Sequence, residues 1–191
     1  MRCAVPFTVV RASTWEPESA LAQLRQVNPL QQIPTLQLDD GSVMTESAAI
    51  LIELGLRYPA SGLLPLDAAA RAQAMRGLVF IAANCYAAIG VIDYPERWCP
   101  SSDEPGRAQL RQGARARLHA CWSSFADQFA TTQPFLGGAA PGSLDLLAAV
   151  VSRWSGTRAH LQVQRPALLA LLQRVESQPD LAPVFARHWP G

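Results

Sequence analysis

The sequence contains no lysine. All 16 basic residues are arginine, 15 acidic residues balance them, and the formal net charge is only +1. Such a chain has no long-range electric field that would attract a nucleic acid. Arg107, Arg111 and Arg115 recur at helical spacing, which is typical of a solvated helix face. We therefore expect no nucleic-acid partner and attribute the absence of lysine to codon bias.

Paired metal-binding or redox cysteines are also lacking. The four cysteines stand at positions 3, 85, 99 and 121, and no pair has the Cys-x-x-Cys spacing of a dithiol or zinc site. His119, His160 and His188 show no partner pattern in the sequence. We therefore expect buried, reduced thiols, no metal site and no histidine with a catalytic role.

We expect no apolar run to reach the length that a membrane-spanning helix needs. The most apolar segment, Leu78 to Ile92, is short and carries Asn84. The N-terminus lacks an apolar run that ends in a small-residue cleavage site. The sequence thus predicts a cytoplasmic protein without a membrane partner.

Strand and helix signals alternate in the first part of the chain. Asp39-Asp40-Gly41 stands between two short apolar runs, which is the strongest local signal for a tight hairpin. We predict an α/β domain over residues 1–59. Its predicted elements are strands at Val5–Arg11, Thr35–Leu38 and Ser42–Thr45 and helices at Pro17–Val27 and Glu46–Tyr58.

Strand signals vanish from Leu66 onward, and residues 66–191 are predicted to form an all-helical domain. Asp67 is a candidate cap for the first of its helices, and Asp93 to Gly106 is a predicted loop. The first predicted helix ends at about Ile92, and the second runs from Arg107 to about Ala130. Three shorter helices are predicted at Ser143–Ser155, Pro166–Ser177 and Leu181–Arg187. The predicted core face of the second comprises Leu110, Ala114, Leu118, Cys121, Trp122, Phe125 and Phe129.

Ile33-Pro34 stands directly before a predicted strand. An X-Pro bond adopts the cis form at small cost, so a proline here can turn the chain sharply. The backbone N–H and C=O of Ile33 would then face outward without partners. A peptide-like ligand can pair with such an edge as a short added strand.

Glu46-Ser47 stands directly before a predicted helix. The first N–H groups of a helix have no partner within it, and Ser47 adds a hydroxyl, so a carboxylate fits at this position. Glu46 supplies the negative charge that an α-ammonium group needs. Taken alone, the pair could be only a capping turn. Together with Ile33-Pro34, it indicates a ligand with a peptide bond and a free amino-acid end.

The order of these motifs resembles the glutathione S-transferase family. The resemblance rests on NP-x-x-x-IP-x-L, the DDG hairpin, TESAAI before a helix that ends in RYP, and the later GLLP and PFLGG segments. It covers nearly the whole chain. It implies an incomplete thioredoxin-like N-terminal domain that binds glutathione, followed by an all-helical C-terminal domain that receives a hydrophobic electrophile.

The resemblance also assigns residues. It implies that the Ile33 backbone pairs with the cysteinyl unit of glutathione, that Pro34 is the family's cis-proline, and that Glu46 and Ser47 hold the γ-glutamyl end. Gln32 stands where many relatives have a lysine near the glycyl carboxylate, so its contact would be a neutral hydrogen bond.

In the helical part, the family usually has Ser or Thr three residues before Asp145 as a capping box, and here that position is Gly142. We interpret Asp145 as structural. Four polar or aromatic residues are candidates for the acceptor pocket, and core packing is an equal alternative for them. These are Tyr86, Tyr94, Arg97 and Trp98.

The family's first strand and helix, which precede the segment matched by AVPFTVV, are absent from this sequence. The turn between them carries the serine, tyrosine or cysteine that activates the thiol, so no residue is assigned that role here. We expect Met1 to be an internal methionine of a longer chain, the alternative being a natural product without the element. Cys3 is interpreted as a bystander.

We therefore expect a homodimeric glutathione transferase that conjugates or isomerises a hydrophobic electrophile. The first alternative is a binding protein that keeps the fold without the thiol-activating residue. The second is a thiol-disulfide oxidoreductase, and the missing Cys-x-x-Cys argues against it.

Overall fold

The structure is a computed structural model that describes residues 2–13, 16, 18–129 and 131–189. Its strands, Leu36–Gln37 (β1) and Val43–Met44 (β2), form an antiparallel two-stranded sheet. A π-helical turn, Ile81–Tyr86, joins the third and fourth α-helices. Within the described residues, the α-helices are Leu21–Val27 (α1), Ser47–Arg57 (α2), Ala68–Phe80 (α3), Ala87–Asp93 (α4), Glu104–Gln128 (α5), Ser143–Val151 (α6), Thr157–Gln164 (α7), Pro166–Glu176 (α8) and Ala182–His188 (α9).

The hairpin forms where the Asp-Gly pattern predicts it. Leu36 lies opposite Met44 across the two strands. In the turn, Gly41 has a φ of 84°, a left-handed conformation that glycine adopts without steric cost. The Asp40 carboxylate accepts hydrogen bonds from the Ser42 N–H (2.9 Å) and hydroxyl (2.5 Å). These bonds close the turn and set the register of the two strands.

The prediction of a strand at Val5–Arg11 is wrong. These residues belong to no strand, and the side chains of Phe7, Val9 and Val10 are 56%, 71% and 52% exposed. Strand formation requires a neighbour that pairs with the backbone N–H and C=O groups. Among the described residues, β1 and β2 pair only with each other. The β-branched segment therefore has no neighbouring strand with which its backbone could pair.

The first helix is shorter than predicted, since α1 begins at Leu21. The predicted start, Pro17, lies outside the described residues. The N–H of Ala20 donates to the C=O of Arg11 (2.9 Å) and not to a helical partner. The chain therefore folds back on itself before the helix begins.

Helix α3 starts at the predicted cap, because the Asp67 carboxylate accepts a hydrogen bond from the Ala70 N–H (2.8 Å). From Ala68 to Asp93, the helix, π-turn and α4 run on without a break. By length and composition, this 26-residue stretch is long and apolar enough to cross a membrane. The expectation that no segment reaches that length is therefore wrong, although α3 and α4 also pack against α5 and α6 as core helices do.

Helix α5 carries the predicted core face. Leu118, Trp122 and Phe125 have no exposed surface, and Cys121 is also buried. The helix begins before the predicted Arg107, because the Asp103 carboxylate caps it through the Gly106 N–H (2.9 Å). Its predicted end, Ala130, lies outside the described residues.

Helices α8 and α9 form where they are predicted, whereas α6 ends at Val151, before the predicted Ser155, and α7 was not predicted. Helix α7 buries only Thr157 and Leu161. It is short and mostly polar, so its composition did not mark it as a helix of the core.

Asp145 is structural, as expected. Its carboxylate is fully buried and accepts hydrogen bonds from the backbone N–H groups of Leu136 (2.7 Å), Gly137 (2.8 Å) and Gly142 (2.9 Å). Burial raises the pKa of Asp145, and the three N–H donors act in the opposite direction. The carboxylate thus joins the preceding loop to the first turn of α6.

The cysteines are only partly as expected. Cys85 and Cys121 are buried, but Cys3 is half-buried and Cys99 is exposed in the loop before α5, so the expectation of four buried thiols is wrong. Burial raises the pKa of Cys85 to about 12, and the neighbouring Cys121 adds to that shift. All four thiols are free.

We predict that iodoacetamide at about pH 8 modifies Cys99 in the native protein and modifies Cys85 only after unfolding. The reactive species is the thiolate, and a thiol with a pKa near 12 is ionised to only about one part in ten thousand at that pH. Timed alkylation followed by peptide mass spectrometry, with and without urea, measures both rates. Equal rates in the native protein would contradict the burial of Cys85.

Candidate functional site

The loop before β1 is held by a buried asparagine. Asn28 is 3% exposed, and its side-chain amide donates hydrogen bonds to the Gln32 C=O (2.9 Å) and the Thr35 hydroxyl (3.0 Å). Its side-chain oxygen accepts from the Leu30 N–H (3.0 Å). Asn28 was not predicted as a site residue, although an Asn-Pro pair at a turn is a recognisable signal. It supports the backbone on which Ile33 stands.

Ile33 and Pro34 lie at the exposed end of this loop, and the peptide bond between them is cis, as expected. The Ile33 side chain is 68% exposed. Within the described part of the chain, no hydrogen bond engages the Ile33 backbone N–H or C=O. Gln32 is also exposed. A ligand that approaches this loop therefore meets unpaired backbone groups.

Glu46 and Ser47 lie between β2 and α2. Ser47 is the first residue of α2, and Glu46 precedes it with φ 66° and ψ 110°. This left-handed backbone conformation is costly for a residue other than glycine, and such residues cluster at functional sites. The exposed Glu46 side chain makes no capping hydrogen bond with α2. The helix therefore begins without a side-chain cap from its N-terminal neighbour.

The hairpin register brings these two predicted motifs together. Because Leu36 pairs with Met44 in antiparallel strands, the chain that enters β1 and the chain that leaves β2 lie at the same end of the hairpin. Ile33 precedes the first of these residues by three positions, and Glu46 follows the second by two. An unpaired backbone edge and a helix N-terminus thus share one edge of the small domain.

Tyr86 lies at the end of the π-helical turn, in the helical part of the chain. Burial raises the pKa of Tyr86, the Ser47 side chain opposes that shift, and the Glu46 carboxylate adds to it. Its ring packs against Trp154 with centroids 5.8 Å apart. Helix α2, which begins at Ser47, packs against α6 of the helical part.

The other acceptor-pocket candidates lie after the end of α4. The Arg97 guanidinium stacks on the Tyr94 ring at 4.0 Å from its centroid, and Trp98 is 62% exposed. No contact described for these residues joins them to Tyr86. Two surface cavities, of about 320 and 270 Å³, lie elsewhere, and neither is lined by any of the four candidates. The acceptor pocket stays a prediction.

Two histidines have partners that the sequence did not indicate. The rings of His119 and His160 stack with centroids 4.5 Å apart, and the His160 Nε2 lies 2.9 Å from the Ser123 hydroxyl. Burial lowers the pKa of His160, and the nearby His119 and Arg165 act in the same direction. Helices α5 and α7 bring these residues together, a contact that no local pattern encodes.

An exposed backbone loop and an uncapped helix start, set against a helical bundle, define a two-part protein with a thioredoxin-like N-terminal part and an all-helical C-terminal part. Residues 2–56 match the family described as the glutathione S-transferase N-terminal domain. The N-terminal part of the chain is therefore similar to that of glutathione S-transferases.

Its relatives span most of its length. An uncharacterized GST-like protein of Escherichia coli (strain K12), YncG, is 29% identical over 185 residues, which cover 96% of this chain and 87% of that protein. A glutathione transferase from Methylococcus capsulatus strain Bath is 28% identical, with a TM-score of 0.65 over 85% of this chain and 76% of that one. A Sulfitobacter glutathione transferase homologue, solved with bound glutathione, shares the fold with a TM-score of 0.79 and 20% identity over 98% of this chain and 88% of that one.

We predict that Glu46→Gly is more stable than Glu46→Ala, with a free energy of unfolding that is higher by about 1 kcal/mol. The glycine variant should therefore unfold at a higher urea concentration. Both variants lose the carboxylate, but only glycine adopts a positive φ without strain, and that gain exceeds its larger loss of chain entropy. Equilibrium urea unfolding of the two variants measures the difference. An alanine variant as stable as the glycine variant would show that the backbone at Glu46 is unstrained.

Proposed function

We propose that this protein binds glutathione and transfers it to a hydrophobic electrophile, or uses it to isomerise one. The observation that carries this proposal is the shared edge of the hairpin, where the unpaired Ile33 backbone and the start of α2 lie together. Glutathione is a small peptide with a free amino-acid end, so its backbone and its terminal charges match these two features. The Sulfitobacter homologue, which carries glutathione on the same fold, supports this interpretation.

The groups at this edge assign a part of glutathione to each residue. The Ile33 N–H and C=O pair with the cysteinyl unit, and the cis peptide before Pro34 lies beside it. The first N–H groups of α2 and the Ser47 hydroxyl bind the γ-glutamyl carboxylate, while Glu46 binds the ammonium group. The Gln32 amide reaches the glycyl carboxylate as a neutral donor.

In the reaction, the thiol of glutathione gives its proton to the solvent and the sulfur attacks an electrophilic carbon. A carbon–sulfur bond forms, and the leaving group departs with its electron pair. The protein contributes by holding the thiol near an acceptor bound against the helical part. Tyr86, Tyr94, Arg97 and Trp98 are the residues we propose for that pocket, and we propose a cytoplasmic location.

We predict that Ser47→Ala weakens glutathione binding by about 1 to 3 kcal/mol, the range for a hydrogen bond to a charged group. Titration calorimetry measures the affinity. Ser177→Ala is the matched control, because Ser177 is exposed and its hydroxyl donates to the Arg174 C=O at the end of α8. Unchanged affinity in Ser47→Ala would refute the assignment of this helix start to the γ-glutamyl end.

Binding and turnover separate the transferase from the non-catalytic alternative. Retention on immobilised glutathione together with conjugation of a generic aryl halide is the expected result for a transferase. Retention without turnover would favour a binding protein. If the protein is not retained and calorimetry detects no binding, the proposed function fails.

We further propose that the protein is a homodimer that associates through the long helix Ala68–Asp93. This helix is apolar along most of its length, yet only 39% of its most apolar part is buried, and Val79 is 55% exposed. An apolar surface of this kind is typical of an interface.

We predict that wild-type protein sediments as a dimer and that Val79→Glu sediments as a monomer, because a charge at an apolar interface loses its hydration. Val163→Glu is the control, since Val163 is 75% exposed on the separate helix α7. Analytical ultracentrifugation distinguishes the states. A dimeric Val79→Glu, or a monomeric wild type, would contradict the proposal.

A further inference from the structure

The surface cavity of about 320 Å³ is lined by residues of α7 and α8 and by Arg153, which follows α6. This volume lies at the small end of the range for ligand pockets. Its polar lining residues are Arg153, Arg158, Gln162, Gln173 and Glu176. The cavity shares no lining residue with the hairpin edge, so it is a candidate second site on the helical part.

Two arginines share one carboxylate in this cavity. The Glu176 Oε1 accepts hydrogen bonds from the Arg153 Nε (3.1 Å) and from Arg158, and the Oε2 accepts from a terminal nitrogen of Arg153. The Glu176 side chain is 14% exposed, and those of Arg153 and Arg158 are 27% and 22% exposed. The lining residues therefore leave one positive charge in excess at a place with limited access to water, where such a charge is costly.

Both guanidinium groups are held by further contacts. Arg158 donates to the Ala149 C=O (2.9 Å), and the Arg153 guanidinium lies over the Trp189 ring, 5.1 Å from its centroid. The Arg158 Nε is buried and has no hydrogen-bond partner within the described residues. Burial lowers the pKa of Arg158, Glu176 opposes that shift and Arg153 adds to it, but a guanidinium keeps its proton at neutral pH. The cavity wall thus carries a fixed charged group with an unused donor.

The lining residues favour one chemical class of ligand. A guanidinium presents its N–H groups as a planar fork that matches the two oxygens of a carboxylate. The exposed amides of Gln162 and Gln173 add neutral donors, and Ala159 and Leu169 supply apolar walls. A single excess positive charge matches a monoanion, because Glu176 would repel a second negative charge on the ligand. An apolar body with one carboxylate fits all of these features.

We propose that the cavity between α7 and α8 binds a small organic monocarboxylate, whose carboxylate pairs with Arg153 and Arg158 and whose apolar body lies against Ala159 and Leu169. This site is separate from the proposed glutathione edge and does not depend on it. Glu176 has two effects on it. The carboxylate orders the two guanidinium groups before a ligand binds, and it limits the affinity because it competes with the ligand for the same donors.

Benzoate and benzamide test the charge requirement, because the two molecules have nearly the same shape and only benzoate carries a carboxylate. Titration calorimetry at constant ionic strength measures both affinities. We expect benzoate to bind at least about 10-fold more tightly than benzamide, since charge-assisted hydrogen bonds are stronger than neutral ones. Equal affinities, or no detectable binding of benzoate, would overturn the inference.

The Gln162→Glu variant tests whether benzoate binds in this cavity. Gln162 is exposed at the cavity wall, so glutamate there adds a negative charge and leaves the Glu176 ion pairs intact. We expect benzoate affinity to fall about 5- to 10-fold, the effect of a like charge a few ångströms away. Gln164→Glu is the matched control, because it makes the same charge change on α7 away from the cavity lining, and it should alter affinity less than about 2-fold. An equal loss in both variants would contradict the proposed site.

The Glu176→Gln variant should change the affinity in the opposite direction. Without the carboxylate, both guanidinium groups are available to the ligand, so benzoate should bind about 5- to 10-fold more tightly. Urea unfolding checks that this variant is folded, and Gln162→Glu decides the matter if it is not. Unchanged or weaker binding by folded Glu176→Gln would refute the competition between Glu176 and the ligand.

Ser47→Ala separates this inference from the proposed function. Benzoate affinity should be unchanged in Ser47→Ala, because Ser47 lies at the start of α2 and not in the cavity lining. A loss of benzoate binding in this variant would place benzoate at the glutathione edge and overturn the inference. Failure of the wild-type protein to bind glutathione would end the proposed function and leave the carboxylate site standing.

Discussion

The antiparallel pairing of Leu36 with Met44 is the constraint on which the candidate site depends. Only this register places the loop before β1 and the start of α2 at the same end of the hairpin. A shift by one residue would turn every strand side chain to the opposite face and move both motifs relative to each other. The Asp40 hydrogen bonds and the left-handed Gly41 keep the turn tight, so a local turn controls the geometry of a binding edge.

The helical part supports this edge from the other side. Trp122 and Phe125 fill its core, and buried Asp145 ties a loop to the start of α6. The N–H of Ser143, at the start of α6, donates to the C=O of Leu63, which lies in the segment after α2 (2.8 Å). The two parts are therefore joined by packing and by hydrogen bonds.

Features that depend on neighbours in sequence could be predicted. The hairpin follows from Asp-Gly, the start of α3 from a capping aspartate, and the core face of α5 from apolar residues at helical spacing. Features that depend on distant partners could not. The segment Val5–Arg11 has the composition of a strand but no strand beside it, and the short, mostly polar α7 packs against α5 and α8. The stacking of His119 on His160 joins two helices that are far apart in the chain.

By itself, the sequence determined the hairpin, the start of α3 and the two motifs Ile33-Pro34 and Glu46-Ser47, because turns, caps and helix starts are encoded by residues within a few positions of one another. The tertiary structure decided that Asn28 holds the loop before β1 and that the backbone at Glu46 is left-handed. Residues far apart in the sequence, such as Leu63 and Ser143, meet only when the helical part packs against the segment after α2. Contacts between the two parts of the chain, which no local sequence pattern encodes, determine the environment of the site residues.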